Sequence, residues 1–526
     1  MKSGKDIFTR RGHVFFLFSF WILYTAYIIH SAYFKQLYIS PDSSNYLREA
    51  EAILSGNGFN SNYAAGIPGW FSAWPVGYPA LIALSSLISG CNTYLASKLL
   101  TSALIGLELY IFAKHFKAKS WLYALILTNY GIISINRFTW SETAFMPLLL
   151  VYALALSEIL CNEDCPAKYY VVLWLSMSGA FMVRYFGAFT VIVSMIAALM
   201  LFMFRREADR SRILKLFLTA FFAGLFMAVY LLMNKMMGGY ATGVNRTVFT
   251  DSMKELTVNL AQSIVLEVKN ILSFIAAPRL NVRARWLVPA ALPVIAVFVH
   301  IIAGRLRAVI RKKKFDEPSV FFIIGICYYA AFTVIRFRSS MDPFGYRFWA
   351  PASMLILTGL VTCFYERFRK WDGFTNAERR IKIFGAVIMF ALAVVIAAKD
   401  FRTVAGNTAY TRTGGEVREY FEGVPSGTVI LVRSDWEDDE GEYHKGEEFD
   451  YSYANFFRRD IIITSAFRTR QAEDYSMEHF RRRHKGCKYF GVSKYCYESE
   501  MVKYPELRSA FGSGEKVRNF IIIPAD

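Results

Sequence analysis

The sequence predicts a polytopic α-helical membrane protein of about eleven transmembrane helices, with a small C-terminal α/β domain on the extracytoplasmic side. Three observations lead there. Many apolar runs are as long as a hydrocarbon layer is thick, about 30 Å or ~20 helical residues. Apolar residue types make up 55% of the 526 positions and aromatic ones 17%. Lys and Arg gather on alternate connections between the runs, as they do where orientation in a membrane is set by charge.

The first run, Val14 to Ile29, follows Lys2, Lys5, Arg10 and Arg11. It contains Trp21 and Tyr24, lacks a small-residue cleavage pattern and is followed by further runs, so it reads as an uncleaved signal anchor. Ten more crossings are expected at Ala96–Ala113, Trp121–Ile135, Thr143–Leu160, Tyr169–Val183, Phe186–Phe204, Ile213–Met233, Trp286–Ala303, Val320–Ile335, Phe348–Phe364 and Ile383–Ala398. Tyr78 to Ile88 is too short to span and is expected to lie along the outer leaflet. Tyr169 to Phe204 is too long for one helix and is interrupted at Arg184 and Gly187, which makes it two crossings that meet at the outer face.

With the amino end inside, the interior connections hold Lys114, Lys117 and Lys119; Lys168; Arg205, Arg206, Arg210 and Arg212; Arg305 through Lys314; and Arg367 through Arg380. The excess of 60 Lys and Arg over 42 Asp and Glu, a net charge of +18, follows from this orientation and from contact with anionic membrane lipids. Nucleic acid is excluded as a partner, since there is neither zinc-finger spacing nor a long basic tail. Outside lie Leu37–Leu95, the turns around Asn136–Glu142 and Arg184, the segment Gly238–Arg285, the turn Arg336–Arg347, and Lys399–Asp526. The expected division is therefore 1–398, a membrane domain including outer loop 37–95, and 399–526, an extracytoplasmic α/β domain.

In that tail, GTVILV from Gly427, DIIITSAF from Asp460 and NFIIIPAD from Asn519 read as strands that could form a parallel sheet. Cys487 and Cys496 fall in the compartment that permits a disulfide, and the sequence leaves that pairing open. The parity splits the seven cysteines between compartments, which speaks against a shared zinc site.

The chemistry-bearing residues gather on the outer side. Ser40 is a plausible cap, Pro41 suits a first helical turn, and Asp42 then stands in that turn. Asp42 could merely favour the helix terminus, or it could take a proton from an acceptor hydroxyl. Glu142, in RFTWSETAF from Arg137, stands just inside a helix that Ser141 is placed to cap. Alternatively it is a second carboxylate of one cavity, orienting the acceptor or, with Asp42, holding a divalent cation. Arg184, Arg246 and Arg347 are the expected donor-phosphate ligands, because forked guanidinium donors match phosphate oxygens while apolar helices accommodate a lipid tail. Tyr46, Trp74, Tyr78, Asp342 and Arg336 are the expected cavity-lining or supporting side chains, with Asp342 beside Arg347. The glycines at 238, 239 and 243 lack the GxxxxGK[ST] arrangement of a nucleotide-phosphate loop.

The order PDSSNYLREAEAIL, WPVGYPALIAL, TWSETAF, RYFG and DPFGYRFWAP resembles the GT-C superfamily of integral-membrane glycosyltransferases, in particular bacterial 4-amino-arabinose transferases and protein O-mannosyltransferases. The resemblance covers about residues 1–398. It implies inverting transfer of a sugar from a polyprenyl-phosphate donor to a lipid, glycan or protein acceptor, outside the cytoplasmic (inner) membrane. In it, Asp42 matches the first-loop base and Glu142 the second-loop acidic position; Arg184 and Arg347 match positions near the donor or supporting the cavity. A single Asp followed by Ser-Ser replaces an adjacent acidic pair, and WPVGYP departs from a paired-proline version, so acceptor and metal requirement stay open. A lipid or polysaccharide flippase or transporter, and a polymerase or ligase using a diphosphate-linked donor, are the alternatives. The transporter predicts ionisable residues on both sides of the midplane, whereas here they gather outside.

Overall fold

The computed structural model describes residues 10–35, 40–64, 67–70, 72–204, 209–242, 252–272, 287–338, 346–369, 398, 418–433, 436–437, 443–444, 461–466, 477–478, 481, 487–499, 501 and 505–525. Helix α1 (Arg10–Lys35) covers the first apolar run. Ser40 is extended and its hydroxyl accepts the Ser43 N–H at 3.2 Å, which starts α2 (Pro41–Leu54) with Pro41 in its first turn. A hairpin, β1 (Asn60–Ala64) and β2 (Ile67–Trp70), leads to α3 (Gly77–Ser89), whose 13 residues are too few to span a membrane. Helix α3 buries Tyr78, Ile82 and Ala83 and exposes Leu84, Leu87 and Ile88.

Helix α4 (Thr93–Phe116) is capped by Asn92, whose side chain accepts the Leu95 N–H. The next stretch departs from the single crossing expected there. Trp121–Ile135 is not one helix but α5 (Ser120–Ala124), a 3-10 turn at Leu125–Thr128, and α6 (Tyr130–Arg137). Thr128 and Asn129 make the break: the Asn129 side chain caps α6 by accepting the Gly131 N–H at 3.0 Å, a local polar choice invisible to a count of apolar residues. The broken rod still runs back along α4. Phe116 stacks on Tyr123 at one end, and Ser97 and Lys98 bond Thr139 and Arg137 at the other.

Helices α7 (Glu142–Cys161), α8 (Ala167–Val183), α9 (Phe189–Phe204), α10 (Asp209–Gly238), α11 (Met253–Leu272), α12 (Leu287–Lys312), α13 (Glu317–Arg336) and α14 (Tyr346–Arg369) complete the bundle's described helices. Helix α7 is central, packing on α4, α8, α13 and α14. Seven described helical stretches are long and apolar enough to cross a membrane: Gly12–His30, Thr93–Thr128, Glu142–Cys161, Tyr185–Phe204, Arg210–Gly238, Glu317–Arg336 and Arg347–Arg367. Of the other expected crossings, Tyr169–Val183 lies in the 17-residue α8, Trp286–Ala303 enters α12 from Leu287, and Ile383–Ala398 lies outside the described residues except for 398.

Side-chain contacts define two ends of the bundle. At one, Arg305 bonds Asp316 and Glu366, His115 meets Glu317, Lys119 lies over Tyr365, and Arg212 donates to the last carbonyls of α7. Every described basic block of the alternate connections therefore sits with that end. The starts of α2, α7 and α14 and the end of α8 meet at the other.

The C-terminal region forms a five-stranded sheet in the order β6-β3-β7-β9-β8, built from β3 (Thr428–Arg433), β6 (Ile462–Ala466), β7 (Tyr489–Ser493), β8 (Glu515–Val517) and β9 (Phe520–Pro524); β4 (Trp436–Glu437) pairs separately with β5 (Tyr443–His444). Strands β3, β6 and β7 are parallel, but β9 runs antiparallel to β7 and does not adjoin β3. A wholly parallel sheet is thus corrected: after β7 the chain returns through two short helices and the β8–β9 hairpin, which enters the edge in reverse. Cys487 and Cys496 are free thiols buried with Val429, Phe490, Val492 and Ile521. Packing, not a disulfide, holds this core.

Candidate active site

Two hydrogen bonds fasten α2 to the turn before α7. Trp140 Nε1 donates to the Ser40 hydroxyl at 2.6 Å, and the Tyr46 hydroxyl donates to Ser141 Oγ at 2.9 Å. Ser141 holds the cap position the sequence suggests, its carbonyl accepting the Phe145 N–H at 3.0 Å, but it does not cap with its side chain. Its backbone is already helical (φ −63°, ψ −19°), it makes no side-chain cap bond, and its hydroxyl serves α2 instead. Tyr46 is fully buried, edge-on to Tyr78 (centroids 5.1 Å apart) and 5.9 Å from Trp74. Burial, then the nearby Asp42 and Glu142 carboxylates, push its phenol above the ordinary range, so it stays a donor.

This fastening brings the two carboxylates to one guanidinium. Arg347, at the start of α14, bonds Asp42 Oδ2 at 2.5 Å through NH2 and Glu142 Oε1 through Nε. Its guanidinium carbon lies 4.4 Å from the Trp140 ring centroid, a cation–π contact. Arg184, extended at the end of α8 (φ −149°, ψ 129°), bonds Glu142 Oε1 and reaches Ser141 Oγ at 3.5 Å. Two carboxylates and two guanidiniums, with 205 residues separating Glu142 from Arg347, thus form one charge-balanced cluster. The Glu142 side chain is 1% exposed and that of Asp42 22%, so Asp42 is the carboxylate an incoming group can reach.

Of the remaining expected residues, Arg246 and Asp342 lie outside the described residues. Arg347 takes Asp42 and Glu142 as partners, and Arg336 is buried in the last turn of α13, at the same end. A divalent cation does not fit the pair Asp42 and Glu142. Arg347 stands between the two carboxylates, so an ion there would meet a guanidinium, and the described residues contain no group of three His, Cys, Asp or Glu that could hold a metal.

Several supporting side chains escape a reading by apolar runs. Lys98, fully buried within α4, donates to the Arg137 carbonyl at 2.6 Å and to Thr139 Oγ1 at 3.2 Å, which fixes the turn that presents Trp140 to Arg347. A lone Lys in an apolar helix is a signal that could have found it. Lys98→Met leaves a buried carbonyl without its donor, at a cost of about 1–3 kcal/mol. It is expected to lower the melting temperature of the purified protein; an unchanged melting curve counts against this role. Glu267 of α11, also buried, accepts from Ser353 of α14, whose hydroxyl pairs with Tyr329 at 2.6 Å.

No protein-family profile and no curated protein sequence matches the chain. Solved structures do. ArnT from Cupriavidus metallidurans bound to undecaprenyl phosphate superposes with a TM-score of 0.56 at 10% identity, over 97% of this chain and 98% of that one. The apo state of the same protein gives 0.57 at 10% identity, over 98% of both. The Archaeoglobus fulgidus oligosaccharyltransferase tethered to an acceptor peptide with the NVT sequon gives 0.51 at 9% identity, over 92% of this chain and 70% of that one. At such identities the fold is what is shared: the chain is a polytopic α-helical membrane protein with the fold of these structures and a small C-terminal sheet.

Proposed function

We propose that the protein transfers a sugar from a polyprenyl-phosphate donor to an acceptor hydroxyl, with inversion, at the extracytoplasmic end of an eleven-crossing bundle. The observation that carries this reading is the single guanidinium, Arg347, bridging a reachable carboxylate and a buried one, with a second guanidinium behind. The basic connections at the opposite end support its orientation. The likeness to a structure bound to undecaprenyl phosphate supports the donor class.

In this reading Asp42 takes the acceptor proton as the acceptor oxygen attacks the anomeric carbon. The bond to the lipid phosphate breaks on the opposite face, and the phosphate leaves with its electron pair, neutralised by Arg347, while Arg184 holds it equally in the bound donor and as it leaves. Before the donor arrives, Asp42 is engaged by Arg347. The donor phosphate competes for that guanidinium, which frees the base only when there is something to transfer. Residues 1–398 form the transferase domain and 399–526 an outer α/β domain. The acceptor is a lipid, glycan or protein.

Purified protein incubated with polyprenyl-phosphate sugars tests the reading: release of lipid phosphate together with acceptor glycosylation is expected. Movement of a lipid-linked cargo without bond formation would instead establish a transporter. Arg347→Lys keeps the charge but loses the fork that spans Asp42 and Glu142. It is expected to raise the donor KM by about tenfold, the scale of one lost charge-assisted bond; unchanged donor dependence would exclude a phosphate contact.

A further inference from the structure

Asn234 lies in the apolar stretch YLLMNKMM of α10 and is completely buried. Its hydrogen-bond orientation follows from its partners. Trp70 Nε1, which can only donate, meets Oδ1 at 3.1 Å, and the Ala241 carbonyl, which can only accept, meets Nδ2 at 3.3 Å. Nδ2 therefore also donates to the Tyr185 hydroxyl at 2.9 Å, and that hydroxyl sends its own proton to the Ser72 carbonyl at 2.8 Å. One turn earlier, the Tyr230 hydroxyl accepts the Val76 N–H at 3.2 Å. The outer end of α10 thus holds the outer loop at two points, Trp70 and Val76, and the residue after Arg184 at a third, from which Tyr185 reaches Ser72.

The turn that carries Arg184 has little other freedom. The Gly187 N–H bonds the Arg184 carbonyl at 2.7 Å, and a Cβ on Gly187 would run into the Ala180 carbonyl carbon. Gly77, where α3 begins, is pressed against the Met182 carbonyl, so the loop and the end of α8 share one packed seam. Through Tyr185, Asn234 sets the direction in which Arg184 leaves the helix. Through Trp70 and Ser72, it ties that direction to the docked outer loop.

We infer that Asn234 is a positioning residue for the donor phosphate, acting through Tyr185 on Arg184; this rests on the proposed function. The arrangement should show in donor affinity and not in the chemical step, because none of its members touches Asp42. A merely structural role would lower stability and turnover together.

The test uses full-length protein in detergent, with undecaprenyl phosphate as the binding probe and donor KM and kcat as the kinetic readout. Tyr185→Phe removes one hydroxyl from a buried network; Asn234→Ala removes the hub. Each is expected to weaken probe binding and raise donor KM by about tenfold, the scale of one unsatisfied buried group, with kcat within about threefold. The double variant should be no worse than the stronger single, and Tyr185→Phe should add nothing in an Arg184→Ala background. Unchanged probe affinity in folded Tyr185→Phe overturns the inference, as does an undiminished Tyr185→Phe effect without Arg184; if Asn234→Ala does not fold, Tyr185→Phe alone decides. A wild type that binds undecaprenyl phosphate but transfers no sugar sinks the proposed reaction and leaves this comparison to be settled by binding. A wild type that does not bind it sinks both.

Discussion

Asp42→Asn is expected to lower turnover by about 10²- to 10⁴-fold, the usual contribution of a general base, while the protein still inserts and melts normally. Asn is nearly the same shape and still accepts a hydrogen bond from Arg347, so the change removes charge and basicity without opening a cavity. Asp42 is the more exposed of the two carboxylates and stands in the first turn of α2, and Arg347 keeps Glu142 as an ionic partner when Asp42 is neutral, so the stability cost is small beside the loss of turnover. The kinetic signature separates this role from a structural one. With Asp42 neutral, Arg347 is held less firmly, so the donor KM should not rise while kcat collapses. Near-normal kcat in the folded variant would remove Asp42 from the chemical step.

The bundle was largely legible because a hydrocarbon layer imposes a length and a charge rule that a single sequence displays. Asp42, Glu142, Arg184 and Arg347 are legible together for a related reason: the alternation of basic connections puts each at the same end. What was hidden depends on geometry that runs and sides do not encode. Arg347 stands beside Asp342 in sequence, and nothing in that neighbourhood announces its partners Asp42 and Glu142, hundreds of residues away. Ser141 holds the cap position, yet its backbone is already helical and its hydroxyl goes to Tyr46. The break at Thr128–Asn129, buried Lys98 and buried Asn234 are single polar residues in apolar surroundings, and averaging over a window erases them. In the C-terminal sheet, β7 was missed because YFGVS is short and flanked by charge, and with it went the clue that β9 joins in reverse.

Glu142→Gln is expected to cost both stability and activity, because Glu142 is the buried carboxylate that two guanidiniums share. Removing one partner of a buried ion pair costs about 3–5 kcal/mol, most of it the burden of the cation left behind. Here two cations are left facing a single carboxylate, Asp42. Arg347 should then swing fully onto Asp42 and hold the base whether or not donor is present, so turnover should fall at least as far as with Asp42→Asn, with a lowered melting temperature that Asp42→Asn lacks. Restoring charge balance supplies the control: Glu142→Gln with Arg184→Gln should recover part of the lost stability but none of the donor affinity, since Arg184 is needed for the phosphate. If Glu142→Gln melts and turns over like wild type, the four-residue cluster is not the organising centre of the site. If the double variant is less stable than either single, the charge-balance account of that cluster is wrong even where the assignment of Asp42 survives.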